Sequence, residues 1–250
     1  MIWTGHATHG ILRSILYVLS QLPACTPNSS LPLTLDQRGL VPSIKYSNGA
    51  IQDQILTESA IVAQFLAEAH PSSLLPPLNG GPEAALARAR INFFIDTWNT
   101  KVGSLWFQAL RADSDEEKEA KVQDWVAAVK KEIEPLLADA SPYFAGSKNL
   151  TLAEVCFSNQ QLGVPIILGI LLTCTLLQVN AAPFILRWYA LQRGGLLPAS
   201  LKAGLDGLPN FAKWAATIQE NKNVTAVFDE QSIVAGTAKR IAGLKAKASA

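Results

Sequence analysis

Leu56-Thr57-Glu58-Ser59-Ala60-Ile61-Val62 decides how this chain reads, together with what precedes it. Upstream stand Val41-Pro42, a short run Ser43-Ile44-Lys45-Tyr46, a turn at Ser47-Asn48-Gly49, and a second run from Ile51 to Leu56. The pattern predicts a hairpin over Leu40 to Leu56 and a helix from Glu58 to Ala69, stopped at His70-Pro71. Ile61, Val62, Phe65 and Leu66 share one face of that helix. A carboxylate and a hydroxyl at a helix start, beside backbone N–H groups, suit a small zwitterion. The N–H groups and the helix dipole hold a carboxylate, and Glu58 holds an ammonium. Thr57-Glu58-Ser59 taken alone also reads as an ordinary helix start with Thr57 as N-cap.

Around this stretch, 250 residues suffice for one large domain or two smaller ones, and 49% hydrophobic content supports a sizeable core. A net charge of +1 with mixed signs points away from nucleic acid and from an electrostatic membrane surface. Three cysteines without regular spacing fit neither a disulfide framework nor a metal site. They fit a reducing, cytoplasmic setting. The apolar run Ile11 to Leu22 is broken by Arg13, Ser14, Ser20 and Gln21 and lacks a small-residue cleavage site, so it reads as a first helix rather than a signal peptide. Pro23 to Asp36 reads as loop.

Pro76-Pro77-Leu78-Asn79-Gly80-Gly81-Pro82 is the best linker, which places a first domain at 1–78 and a second at 83–250. Beyond it the chain reads as helical. One long helix is expected from Glu83 to Ala112, with Ile91, Phe94, Ile95 and Trp98 inward. Ser114-Asp115-Glu116-Glu117 opens the next, whose face is Val122, Trp125, Val126, Val129, Ile133 and Leu136, with Pro135 disturbing its end. Thr151-Leu152-Ala153-Glu154 forms a capping box. Glu154 bonds back to the Thr151 N–H and the Thr151 hydroxyl to the Glu154 N–H. Leu208-Pro209-Asn210-Phe211 starts a later helix with Phe211, Trp214, Ala215 and Ile218 inward. Lys239 to Ala250 reads as a frayed helix or tail.

The order Val-Pro, hairpin, Glu-Ser, helix, followed by a helical half with a Thr-x-x-Glu box and Leu-Pro-Asn-Phe-x-x-Trp, resembles the cytosolic glutathione S-transferases. Fungal, omega-like members are the most similar. The box departs mildly from the family's Ser/Thr-x-x-Asp. The resemblance implies an α+β chain: a thioredoxin-like N-terminal domain, here incomplete, followed by an all-α C-terminal domain. It implies glutathione as co-substrate, with the γ-glutamyl end on Glu58 and Ser59 and the cysteinyl backbone paired with Val41 before a cis Pro42. It also implies a small electrophile as second substrate and a homodimer. Trp98, Trp106, Phe107, Trp188 and Tyr189 are candidates for the acceptor pocket, although each also reads as ordinary core.

Two features depart from the family. Its members carry a Cys, Ser or Tyr near the start of the first helix, where the thiol is activated. Here that place holds Thr8-His9-Gly10, and Thr8 is the nearest hydroxyl. Cys25 lies too close to Pro42 to serve. The second departure is Val155 to Gln178, an uncharged apolar segment that interrupts the helix begun by the capping box. Its core, Leu162 to Leu177, is 16 residues long, short for a membrane span, and contains Gly163, Pro165 and Gly169. A buried hairpin or core helix is one alternative. The favoured reading is a retained intron translated in frame, since Val codons begin with GT and a Gln codon can be CAG. Removing the segment joins Glu154 to Val179 in a continuous helix. Two functions compete on this pattern: glutathione transfer to an electrophile or thiol transfer, and a non-catalytic glutathione-binding or interaction module on the same fold.

Overall fold

The computed structural model describes residues 43–48, 51–70, 72–154, 181–225 and 228–248. They form two compact units, one ending at Arg88 and the other starting at Ala89. The division falls beyond the Pro76–Pro82 linker.

In the first unit, β1 (Ser43–Asn48) and β2 (Ile51–Thr57) pair antiparallel, with Ser43 opposite Thr57 and Tyr46 opposite Gln54. The register shifts between Tyr46 and Asn48. There Ser47 Oγ accepts from the Asp53 N–H at 2.9 Å and donates to its carboxylate at 3.2 Å, while Asp53 takes φ 55°. Helix α1 (Ser59–Ala69) packs Val62 and Leu66 against Leu56, with Phe65 at the edge. The Tyr46 ring meets Phe65 edge-on at 4.8 Å. The expected helix face needs a correction at one position. Ile61 is 56% exposed, whereas Ala63 and Ala67 are buried. At 3.6 residues per turn, a stripe centred between positions 62 and 63 leaves position 61 outside. Arg88, in the first half of α2 (Gly81–Thr97), donates to the Pro76 carbonyl at 3.0 Å and pairs with Glu68 of α1.

The second unit is helical. The single helix expected from Glu83 to Ala112 is two helices. α2 runs into a π turn at Trp98–Val102, and α3 (Leu105–Arg111) follows. The Gly103 N–H donates to the Trp98 carbonyl at 2.7 Å, and a Cβ at Gly103 would meet that oxygen at 3.2 Å. Glycine therefore permits the wider turn, which keeps Trp98, Val102 and Trp106 all fully buried. Helix α4 (Asp115–Ala128) is capped by Ser114, whose oxygen accepts from the Glu117 N–H at 3.1 Å. It widens into a π turn at Val129–Ile133 and tightens into a 3-10 turn at Glu134–Leu137, which includes Pro135. The wide turn moves the inward position from Leu136 to Leu137, which is 1% exposed.

Helix α5 (Ala182–Arg193) is the centre of the unit: every residue from Phe184 to Leu191 is buried. Around it lie α6 (Ala199–Asp206), α7 (Pro209–Glu220), α8 (Lys222–Thr225) and α9 (Glu230–Ala248). α7 buries Phe211, Trp214, Ala215 and Ile218, as its pattern predicts. Its N-cap residue is Leu208, which has no side-chain acceptor. Glu134 takes that role from a distance, accepting from the Asn210 and Phe211 N–H groups at 2.9 and 2.7 Å. The expected frayed tail from Lys239 is instead the second half of α9. Arg193 grips Glu230 through two bonds of 2.8 and 2.6 Å at one end, and Lys245 donates to the Ala112 carbonyl at 2.9 Å at the other.

The capping box forms, with one correction. The Thr151 N–H and hydroxyl both donate to Glu154 Oε2 at 2.8 Å, and Thr151 Oγ1 accepts from Ala153 rather than Glu154, at 3.2 Å. Glu154 Oε1 accepts from the Phe144 N–H at 2.7 Å and from Trp214 Nε1 at 2.8 Å. Glu154 is fully buried, so each available donor turns to its charge.

The segment Val155 to Gln178 lies outside the described residues. On either side of it, the Ala182 N–H donates to the Glu154 carbonyl at 3.4 Å. If Glu154 were followed directly by Val179, Ala182 would stand four residues after Glu154, the spacing of an α-helical bond. Two expectations follow from this geometry. Glu154→Gln places amide hydrogens where donors already point and should destabilise the fold by about 2 kcal/mol or more, measured by urea unfolding. A chain lacking Val155–Gln178 should keep its helical circular dichroism and melt no lower than the full chain. Loss of cooperative unfolding in the shortened chain would refute the continuous-helix reading, and transcripts that all retain the segment would refute the retained-intron reading.

Candidate functional site

The site begins where β2 hands over to α1. Glu58 is the N-cap residue of α1, in place of Thr57, and its carbonyl accepts the first helical bond from Val62 at 2.9 Å. Its backbone sits at φ 70°, ψ 119°. A residue with a Cβ pays about 1–3 kcal/mol for such a conformation, which persists only where the surroundings demand it. The Glu58 side chain makes no capping bond to its own helix. The start of a helix presents N–H groups outside its ladder and the positive end of the dipole. Glu58, half-buried, and the backbone of Ser59 therefore stand together at the head of α1. Thr8, Val41 and Pro42 lie outside the described residues. Among the described residues the cis peptide bond is Ser141–Pro142.

The acceptor candidates all belong to the second unit. Trp98, Trp106 and Trp188 are fully buried. Trp98 stacks on Trp188 at 5.2 Å and 10°, and Trp125 meets Trp188 edge-on at 4.5 Å. Tyr189 is 4% exposed, and its hydroxyl donates to Asp206 at 3.4 Å. Burial first, and then the Asp206 charge and hydrogen bond, push its phenol well above the usual range, so it stays protonated. Phe107 is half-buried and carries Arg111 and Arg240 against its ring at 5.5 and 5.4 Å. An open groove of about 570 Å³ lies elsewhere in this unit, lined by Arg90, Phe93, Leu136, Asp139 and Phe144 among others, and by none of the five candidates.

One charged residue in this unit carries no signal from motif or spacing. Arg187 lies within the apolar run Phe184-Ile185-Leu186-Arg187-Trp188-Tyr189 and is 3% exposed. Its Nε has no hydrogen-bond partner. Its guanidinium lies 5.5 Å over the Trp106 ring. Desolvation, and then the neighbouring Arg240 charge, hold it down to about 10. A charged residue inside an otherwise apolar helix is the signal that sequence reading could have used.

Among the described residues no group of three or more His, Cys, Asp or Glu could hold a metal ion. No helix among them is long and apolar enough to cross a membrane.

No family model matches the chain, and no curated protein does. Solved structures do match. The glutathione transferase Omega 3C of Trametes versicolor superposes with a TM-score of 0.55 at 16% identity, over 90% of this chain and 87% of that one. The chain therefore has the glutathione-transferase fold: part of a thioredoxin-like domain, then a helical domain.

The strain at Glu58 has a direct test. Glu58→Ala and Glu58→Gly both remove the carboxylate, but only glycine accepts φ 70° at ease. The glycine variant should be the more stable of the two by about 1 kcal/mol in urea unfolding.

Proposed function

We propose that this chain binds glutathione at the head of α1 and transfers it to electrophilic small molecules, or uses it in thiol exchange. The observation that carries this reading is Glu58: a non-glycine residue in a strained backbone conformation at a strand-to-helix junction, on a glutathione-transferase fold. The Glu58 carboxylate receives the γ-glutamyl ammonium. The Ser59 hydroxyl and the N-terminal N–H groups of α1 receive its carboxylate. Val41, ahead of Pro42, pairs with the cysteinyl backbone. In the transfer step the glutathione sulfur forms a bond to an electrophilic carbon and the leaving group departs with the electron pair. Thr8 is the hydroxyl assigned to steady the thiolate. Of the acceptor candidates, Phe107 is half-buried and is the one assigned to the acceptor side, while Trp98, Trp106, Trp188 and Tyr189 are core residues. The proposal includes a homodimer in the cytoplasm.

A second reading rests on Thr8-His9-Gly10. No Cys, Ser or Tyr stands where the thiol would be activated, which favours a glutathione-binding module without turnover. Titration with glutathione, followed by tryptophan fluorescence and calorimetry, tests what the two readings share. Saturable binding is expected, weakened at least tenfold in Glu58→Gln and in Ser59→Ala. A folded chain that shows no saturation rules out both. Turnover with an activated aryl chloride then separates them: a rate above the uncatalysed reaction supports the transferase, and binding without turnover supports the module.

A further inference from the structure

We propose that Asn79 is a self-modification site, where the backbone nitrogen of Gly80 displaces the side-chain amide and the approach to α2 acquires an aspartate or isoaspartate over time. The chain has two Asn-Gly pairs, Asn48-Gly49 and Asn79-Gly80. Gly49 lies outside the described residues, and the Asn48 amide donates to the Tyr46 hydroxyl at 3.1 Å. Asn79 is exposed, and its side chain makes no hydrogen bond among the described residues. It follows Leu78, which is 76% exposed within the Pro76–Pro82 linker. Its amide carbon is therefore free to turn toward the next residue and is open to water.

Gly80 supplies the nucleophile, and the fold keeps it a glycine. A Cβ at that position would stand 2.7 Å from the Ala84 Cβ and 3.2 Å from both Cγ and the carbonyl oxygen of Pro77. Packing against the first turn of α2 thus excludes a side chain that could shield Asn79. The Gly80 N–H donates to the Pro77 carbonyl at 3.1 Å, closing a β-turn with Asn79 at its third position. Pro77 and Gly80 are both exposed, and water replaces a single hydrogen bond of this kind at small net cost. The turn slows the attack without preventing it.

In the first step the Gly80 nitrogen gives up its proton and bonds to Cγ of Asn79. The Cγ–Nδ2 bond breaks, and ammonia leaves with that electron pair and the proton. The product is a five-membered succinimide, formed by atoms already tethered side by side. Solvent water then opens the ring at either carbonyl. Attack at Cγ restores the normal backbone and leaves an aspartate. Attack at the main-chain carbon routes the backbone through the side chain and leaves an isoaspartate, with one extra backbone atom. That atom opens the Pro77–Gly80 turn just before α2 begins at Gly81.

The test is peptide mapping by mass spectrometry of the full chain held in mildly alkaline buffer, with circular dichroism confirming that it stays folded. The Asn79 peptide should convert to two products of equal mass, each heavier than the parent by the exchange of an amide for an acid. Conversion should run about tenfold or more faster than at Asn92, Asn99, Asn149 and Asn223, where no glycine follows to allow the ring closure. All four are exposed, so exposure does not separate them from Asn79. Asn79→Gln, whose longer side chain would have to close a larger ring, should show no conversion at this position. Conversion at Asn79 no faster than at the four controls overturns the site. A single aspartate product also overturns it, because direct hydrolysis would then replace ring closure. The isoaspartyl form, purified by ion exchange, should melt below Asn79→Asp, which carries the charge without the extra atom. Equal Tm values overturn the opening of the turn.

Discussion

The buried carboxylate of Glu154 is the interaction on which the second unit depends. Its two oxygens accept from Phe144, Trp214 and both donors of Thr151. Three separate pieces of chain are thereby fixed to one charge: the Phe144 turn, the capping box and α7. An ion taken out of water is tolerated only when nearly every lone pair is satisfied, and removing any one donor leaves charge uncompensated. The packing is specified by the same demand. Trp214 must present Nε1 to Glu154, and its ring then meets Phe94, Trp98 and Phe211. The other fully buried indoles, Trp98, Trp106, Trp125 and Trp188, leave their N–H groups without partners. Their contribution is area and ring contact rather than hydrogen bonding.

The first unit is organised by a backbone constraint instead. β2 ends and α1 begins within one residue, and Glu58 absorbs the change of direction in a conformation that side chains avoid. A glycine would serve the turn at lower conformational cost. A glutamate there brings a carboxylate to the positive end of a helix, a position useful for holding both ends of a zwitterion. This is the sense in which strain at a junction supports a binding reading rather than a purely structural one.

Arg187 and Glu154 make an instructive pair. Both are charged and both are buried in the same unit. Glu154 is surrounded by donors and completes the fold. Arg187 has an aromatic face and another cation for company. The first arrangement is a finished structure. The second leaves a buried cation with one donor, Nε, unpartnered.

Much of the layout was legible in the sequence. The hairpin followed from two short apolar runs about Ser47-Asn48-Gly49, and α7 from the spacing of Phe211, Trp214, Ala215 and Ile218, because side-chain periodicity reports directly on which face is buried. The Thr151–Glu154 box was legible for a similar reason: capping is local, and its donors and acceptors lie within a few residues. Other features were decided only in three dimensions. The π turns at Trp98 and Val129 shift the inward position by one residue, which no fixed period encodes. Glu134 caps a helix that begins at Pro209, and Trp214 completes the box at Glu154, because buried polar groups take partners from wherever the chain returns. Arg187 comes against the Trp106 ring and Arg240 against the Phe107 ring only once α3, α5 and α9 have packed. Local chemistry and periodicity are properties of the sequence; the pairing of distant charges and donors belongs to the tertiary structure, since burial alone makes those partners necessary.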